Sequence, residues 1–131
     1  MSRLMETIEA KASELLPRDK AVLAAVSGGL DSMALLHALH QLSEKYNWRL
    51  MVGHFNHRLR GRASQADQRL VEKTSKQLDI KCVTGYWDNG EILIKDHGLE
   101  MAARRARHNF LADLAKSHHC RSREDRVAKW L

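Results

Sequence analysis

An open parallel α/β sheet with helices on both faces is the fold class this sequence predicts, and three observations carry that prediction. An unbroken apolar run at 21–26 (Ala-Val-Leu-Ala-Ala-Val) stops at a Gly pair. Such a run reads as a strand buried on both faces, as in the interior of a parallel sheet. Further strand-like runs then alternate with stretches of helical period. Strand and helix in alternation is the pattern of parallel strands joined by right-handed helical crossovers.

Taken in order, Leu4, Met5, Ile8, Ala12, Leu15 and Leu16 recur at helical spacing, so residues 3–16 form an amphipathic helix. Pro17-Arg18-Asp19-Lys20 ends it in a turn. The apolar strand follows, then a helix at 32–46 with Leu35, Leu36, Leu39 and Leu42 as its buried stripe. A second strand is expected at 49–55, and a helix at 64–78 with Ala66, Leu70, Val71, Thr74 and Leu78 on one side. A third strand at 81–87 ends in the turn-like Asp88-Asn89-Gly90. Around Ile92-Leu93-Ile94 the pattern fits a short strand or a helical turn equally. Gly98 precedes a helix at 99–116 whose core face is Leu99, Ala102, Ala103, Ala106, Phe110 and Leu114.

At 131 residues the chain suits one domain with a moderate core. No apolar run approaches membrane-span length, and residues 1–16, with Glu6, Glu9 and Glu14, lack a signal core, so no membrane association is expected. Cys82 and Cys120 form neither a metal-binding pair nor a disulfide framework, which fits a reduced, cytoplasmic setting. A net charge of +6 suits a polyanionic partner, although alone it describes a basic solvated surface equally well.

The chemistry concentrates at Ser27-Gly28-Gly29-Leu30-Asp31-Ser32. A strand, a Gly-rich turn and a helix start place unpaired amides and the positive end of a helix dipole toward a ligand, which makes an anion site. The stretch lacks the Lys-Ser/Thr ending of the Walker loop and is too short for Gly-x-Gly-x-x-Gly. A simpler reading is a Ser- and Asp-capped helix start. The six residues resemble the PP-loop of the ATP pyrophosphatases, which split ATP into AMP and pyrophosphate. Two further groups stand out. Glu100, Arg104 and Arg107 share a flank of the last helix, as a surface ion-pair stripe or as arginines held for phosphate. His37 and His40 at i, i+3 lack a third ligand nearby and read as ordinary helix histidines.

Three stretches together are similar to the N-terminal part of the tRNA(Ile)-lysidine synthetase family: the loop 27–32, the segment His54-x-Asn56-His57-x-Leu59-Arg60-Gly61, and the helix Glu100-x-Ala102-Ala103-Arg104-x-x-Arg107. The loop is shared with GMP synthetases, NAD synthetases and tRNA thiolation enzymes; the histidine segment singles out the lysidine family. The resemblance implies a PP-loop, Rossmann-like fold and a two-step reaction on the wobble cytidine of tRNA(Ile). ATP adenylates the C2 carbonyl oxygen and releases pyrophosphate; the ε-amine of free L-lysine then attacks C2 and expels AMP. It implies ATP contacts from Ser27, Gly28, Gly29, Leu30, Asp31, Ser32, Arg104 and Arg107, with Asp31 holding Mg²⁺ and Asp31 and Arg104 taking part in catalysis. His57, Arg58, Arg60 and Arg62 fall to tRNA. The base that deprotonates lysine is not identified, with His54 and His57 as candidates for that role or for a structural one in the loop.

Past Cys120 the family pattern calls for another strand and a Gly-His-His-x-x-Asp-Asp-Gln-type motif, whereas the sequence continues as a charged tail with no apolar run. Residues 1–120 are therefore expected as a partial PP-loop ATP-binding domain, incomplete on its C-terminal side, and 121–131 as a charged tail of a truncated or frameshifted product. In a 3-2-1-4-5 sheet, loss of the fourth strand would leave 21–26 as an open apolar edge, a template for self-association unless the chain's own tail covers it. The competing functions are a non-catalytic basic nucleotide- or tRNA-binding fragment and another PP-loop enzyme such as a tRNA thiolase. Thiolases that carry a metal cluster need grouped cysteines, which Cys82 and Cys120 do not supply.

Overall fold

Parallel strands joined by helices build the molecule, as a computed structural model shows for residues 3–58, 61–87, 98–117 and 121–122. The described elements are α1 (Arg3–Leu15), β1 (Ala21–Ala25), α2 (Leu30–Tyr46), β2 (Arg49–Asn56), α3 (Arg62–Gln77), β3 (Lys81–Tyr86), α4 (Leu99–Ser117) and β4 (Arg121–Ser122). The expected elements all form, with ends shifted by at most two residues; the segment around Ile92 lies outside the described residues.

The four strands lie in the order β3-β2-β1-β4, every pairing parallel. The steps from β1 to β2 and from β2 to β3 run the same way across the sheet. The step to β4 goes back past β1. Right-handed crossovers then require α2 and α3 on one face and α4 on the other, and the packing agrees. Val22, Ala24 and Val26 meet α1, α2 and α3 in one core, with Leu36, Leu39, Val52 and Val71. Leu23 and Met51 meet Leu111, Leu114 and Ala115 of α4 in a second.

Three expectations need correction. Val22 and Leu23 pair with Arg121 and Ser122, so β1 is an interior strand rather than an open edge. A two-residue strand is held by main-chain hydrogen bonds and needs no apolar run, which is why hydropathy does not reveal it. The edge on which self-association would depend is covered at these positions by the chain's own backbone. On α3, Ala66 and Leu70 face solvent, and the buried stripe runs through Ser64, Val71, Thr74 and Ser75. Small hydroxyl residues make this face, so counting apolar residues misplaces it. On α4 the most buried side chain among the described residues is Leu111, outside the expected face.

The sheet end away from the loop is fastened by polar contacts. Asn47 ends α2 in the left-handed region at φ 53°, a conformation asparagine tolerates, and its N–H donates to the Ser43 carbonyl. Glu9 of α1 accepts hydrogen bonds from Lys45 and from the Tyr46 hydroxyl, and these hold its carboxyl below the usual range.

Close packing of α4 on the sheet supplies a test. A Cβ at Gly85 would lie 2.5 Å from Phe110 Cδ1 and 2.6 Å from Cε1, with the ring itself tilted against Phe55. Gly85→Ala should therefore lower stability by about 1–3 kcal/mol through overpacking. The companion change Phe110→Leu should recover part of that loss in a thermal-melt double-mutant cycle, whereas strictly additive losses would exclude this contact as the cause.

Candidate functional site: the loop between β1 and α2

Val26 extends β1 by one bond, its N–H donating to the Gly53 carbonyl at 3.0 Å, before the chain leaves the sheet at Ser27. The turn depends on Gly28. Its φ is +94°, and a Cβ there would sit 2.7 Å from Asp67 Cβ and 3.0 Å from Asp67 Cα. The loop is thus wedged against α3 at a point where only a residue without a side chain fits.

Neither serine nor aspartate caps α2, contrary to the simpler reading. Gly29 is the N-cap, and no side chain bonds the free amides of the first turn. The two hydroxyls instead hold the loop to itself: Ser32 Oγ accepts the Ser27 N–H at 2.8 Å, and Ser27 Oγ accepts the Gly29 N–H at 3.2 Å. Each hydroxyl keeps its own O–H to donate outward. Met33 N–H donates to the Gly29 carbonyl at 2.9 Å, so the amides of Leu30, Asp31 and Ser32 precede the first intrahelical bond. They lie at the positive end of a 17-residue helix, which favours an anion. Leu30 contributes through its backbone, since its side chain is 87% exposed.

This loop borders a cleft of about 480 Å³. Asp31 and Ser32 line it from α2, His54 to His57 from the end of β2, Ser64 and Asp67 from α3, and Arg107 and Leu111 from α4. Two of the expected arginines separate here. Arg107 is half-buried on the cleft wall; Arg104, one turn nearer the start of α4, is exposed and outside the lining. Asp67 carries no sequence motif. The one available signal is its spacing, three residues after buried Ser64 and four before buried Val71, which turns it inward.

His54 is 2% exposed and anchors the loop. Its Nδ1 lies 2.8 Å from the Val26 carbonyl, and a carbonyl can only accept, so Nδ1 carries the proton. Nε2 is buried without a hydrogen-bond partner. Asn56 joins β2 to α3, donating from Nδ2 to Gln68 Oε1 at 2.8 Å and accepting the Arg58 N–H at 2.9 Å. Of the residues expected at tRNA, His57 is half-buried in the cleft wall, Arg58 and Arg62 are exposed, and Arg60 lies outside the described residues.

Residues 4–122 match the PP-loop domain family. The chain belongs to it. Among curated PP-loop proteins, the tRNA(Ile)-lysidine synthase of Clostridium tetani is 34% identical over 107 residues, covering 81% of this chain and 23% of the relative. That of Oceanobacillus iheyensis is 41% identical over 98 residues, covering 74% and 21%. The chain thus spans between a fifth and a quarter of the length of these relatives. Among solved structures, the U34-tRNA thiolase NcsA of Methanococcus maripaludis superposes with a TM-score of 0.76 at 15% identity, over 89% of this chain and 42% of that one. This likeness is one of fold.

The two loop glycines should respond differently to substitution. Gly28→Ala combines a left-handed φ with the collision at Asp67, and should cost more than about 1 kcal/mol of stability. Gly29 has φ −72°, and its nearest contact to an added Cβ is Ser27 Oγ at 3.5 Å, so Gly29→Ala should melt close to wild type. Equal losses on calorimetry would contradict this account of the turn.

Proposed function

We propose that this chain is the ATP-binding part of a tRNA(Ile)-lysidine synthase-type ligase, which activates the wobble cytidine by adenylation and joins lysine to it. The observation that carries the reading is the free-amide loop 27–32 opening on a cleft that Arg107 also lines, in a PP-loop chain whose curated relatives bear that name.

In this reading the triphosphate lies along the start of α2. The amides of Leu30, Asp31 and Ser32 and the hydroxyls of Ser27 and Ser32 donate to its oxygens, preorganised before charge builds up at the reacting phosphorus. Arg107 supplies a planar guanidinium from the opposite wall, suited to bidentate contact with phosphate. Arg104, more exposed, meets the substrate later or not at all. Asp31 and Asp67 offer oxygen donors on the same cleft, and no group of three or more metal-binding side chains occurs among the described residues. That donor set fits Mg²⁺, which takes one or two carboxylates and completes its shell with phosphate oxygens and water; bound there it would neutralise phosphate charge. Pyrophosphate leaves when the cytidine C2 oxygen attacks the α-phosphorus, and AMP leaves when the lysine amine attacks C2. Because His54 Nε2 is sealed from solvent, His54 serves to hold Val26 and the loop in place. His57, on the accessible wall, is the better candidate to receive the proton from lysine.

A cluster-dependent thiolase is less well supported. The 131 residues contain two cysteines, and burial pushes the Cys82 thiol up, away from the thiolate a metal would need. A cytoplasmic location agrees with the proposed substrates, and no helix among the described residues is long and apolar enough to cross a membrane.

Incubation with ATP, Mg²⁺, tRNA(Ile) and lysine should release AMP and pyrophosphate rather than ADP. Binding of ATP and tRNA without AMP would instead favour the nucleotide- and tRNA-binding reading. Arg107→Ala should weaken ATP binding roughly ten- to hundredfold, as expected for loss of a charge-assisted hydrogen bond, and Arg104→Ala by less than about threefold. The reverse order in titration calorimetry would move the phosphate away from the cleft wall described here.

A further inference from the structure

A second cleft of about 500 Å³ adjoins the first and shares Asn56 and Ser64 with it. Nothing in the proposed ATP chemistry uses it. On one side stands Tyr86, the last residue of β3, with 43% of its surface exposed. The Arg58 guanidinium lies over the Tyr86 ring, 4.7 Å from its centroid. The rest of the lining includes Gln65, Gln68 and Arg69, with no carboxylate among the described residues.

The pair is held in place by bonds that do not involve a ligand. The Tyr86 hydroxyl accepts Gln68 Nε2–H at 2.7 Å, and Gln68 Oε1 accepts from Asn56. Asn56 Oδ1 accepts the Arg58 N–H, fixing a backbone at φ +59°, which arginine rarely adopts. Thr84 Oγ1 and Gln68 Nε2 both donate to Glu72, so the network also joins α3 to β3. The result is a cationic, aromatic surface held by the protein's own contacts. Gln65 at its side offers an amide edge, and Arg69 adds a second positive charge.

Planar stacking, hydrogen bonding at an edge and excess positive charge together match a base of single-stranded RNA. We propose that this second cleft seats one unpaired base of the substrate RNA, next to the base that enters the ATP cleft, by stacking on the Arg58–Tyr86 pair. The proposal rests on the tRNA reading above and assigns Arg58 a different part in it. Arg58 acts as a stacking plane rather than as a point charge on a phosphate.

The test is binding of a single-stranded RNA heptanucleotide with a central cytidine, followed by fluorescence anisotropy across a salt series. Arg58→Lys keeps the charge and removes the plane, Tyr86→Leu keeps apolar bulk and removes the ring, and Tyr86→Phe keeps the ring. Arg58→Lys and Tyr86→Leu should each weaken binding roughly 5- to 100-fold, with the salt slope of Arg58→Lys unchanged and Tyr86→Phe close to wild type. Arg58 is exposed, so its variant carries the test even if Tyr86→Leu misfolds on circular dichroism. Wild-type affinity in Arg58→Lys, or in a folded Tyr86→Leu, would overturn the stacking site and leave the tRNA reading standing. No RNA binding by wild-type chain that still binds ATP would overturn both.

Discussion

A parallel sheet whose strand order reverses opens its ligand crevice at one place, beyond the carboxyl ends of the strands that flank the reversal. In this chain the reversal falls at β1, between β2 on one side and β4 on the other. Every later feature of the site depends on that placement. Because the crossovers keep one hand, α2 and α3 close one face of the crevice and α4 the other. The loop after β1 opens between these two faces, on the cleft that Asp67 of α3 and Arg107 of α4 also line.

Position alone does not shape the loop. Its conformation is set by three constraints of different kinds: the steric one at Gly28 against Asp67, the hydroxyl-to-amide bonds of Ser27 and Ser32, and the grip of His54 on the Val26 carbonyl. The hydroxyls are spent on the loop's own amides, so the helix start stays uncapped. An ordinary serine cap would have stabilised α2 and consumed the donors that an anion needs. The helix gives up a stabilising contact at the position where a ligand would be held, as local rules often fail at functional sites.

Much of this was legible in the residues. The run 21–26, followed by the Gly pair, announces a buried strand and a tight turn into a helix, and alternating periods announce the remaining elements. What escaped the sequence did so for physical reasons. Two residues of β4 pair through the backbone, which leaves no hydropathy signal. The buried face of α3 sets serine and threonine beside Val71, so apolarity points Leu70 inward while Ser75 is the residue that goes there. Arg104 and Arg107 share a helical flank, and only three-dimensional packing tells which arginine meets the cleft. Asp67 and Tyr86 belong to no motif at all, since their significance comes from what other segments bring beside them.

The central claim is that the phosphates of ATP bind the unsatisfied start of α2. Amide chemical shifts recorded while ATP is titrated into the isotopically labelled chain test it most directly. The account predicts the largest perturbations at Gly28 to Ser32, lost when ATP is replaced by adenosine. Perturbations that leave residues 28–32 unmoved, with ATP bound elsewhere on the surface, would contradict it.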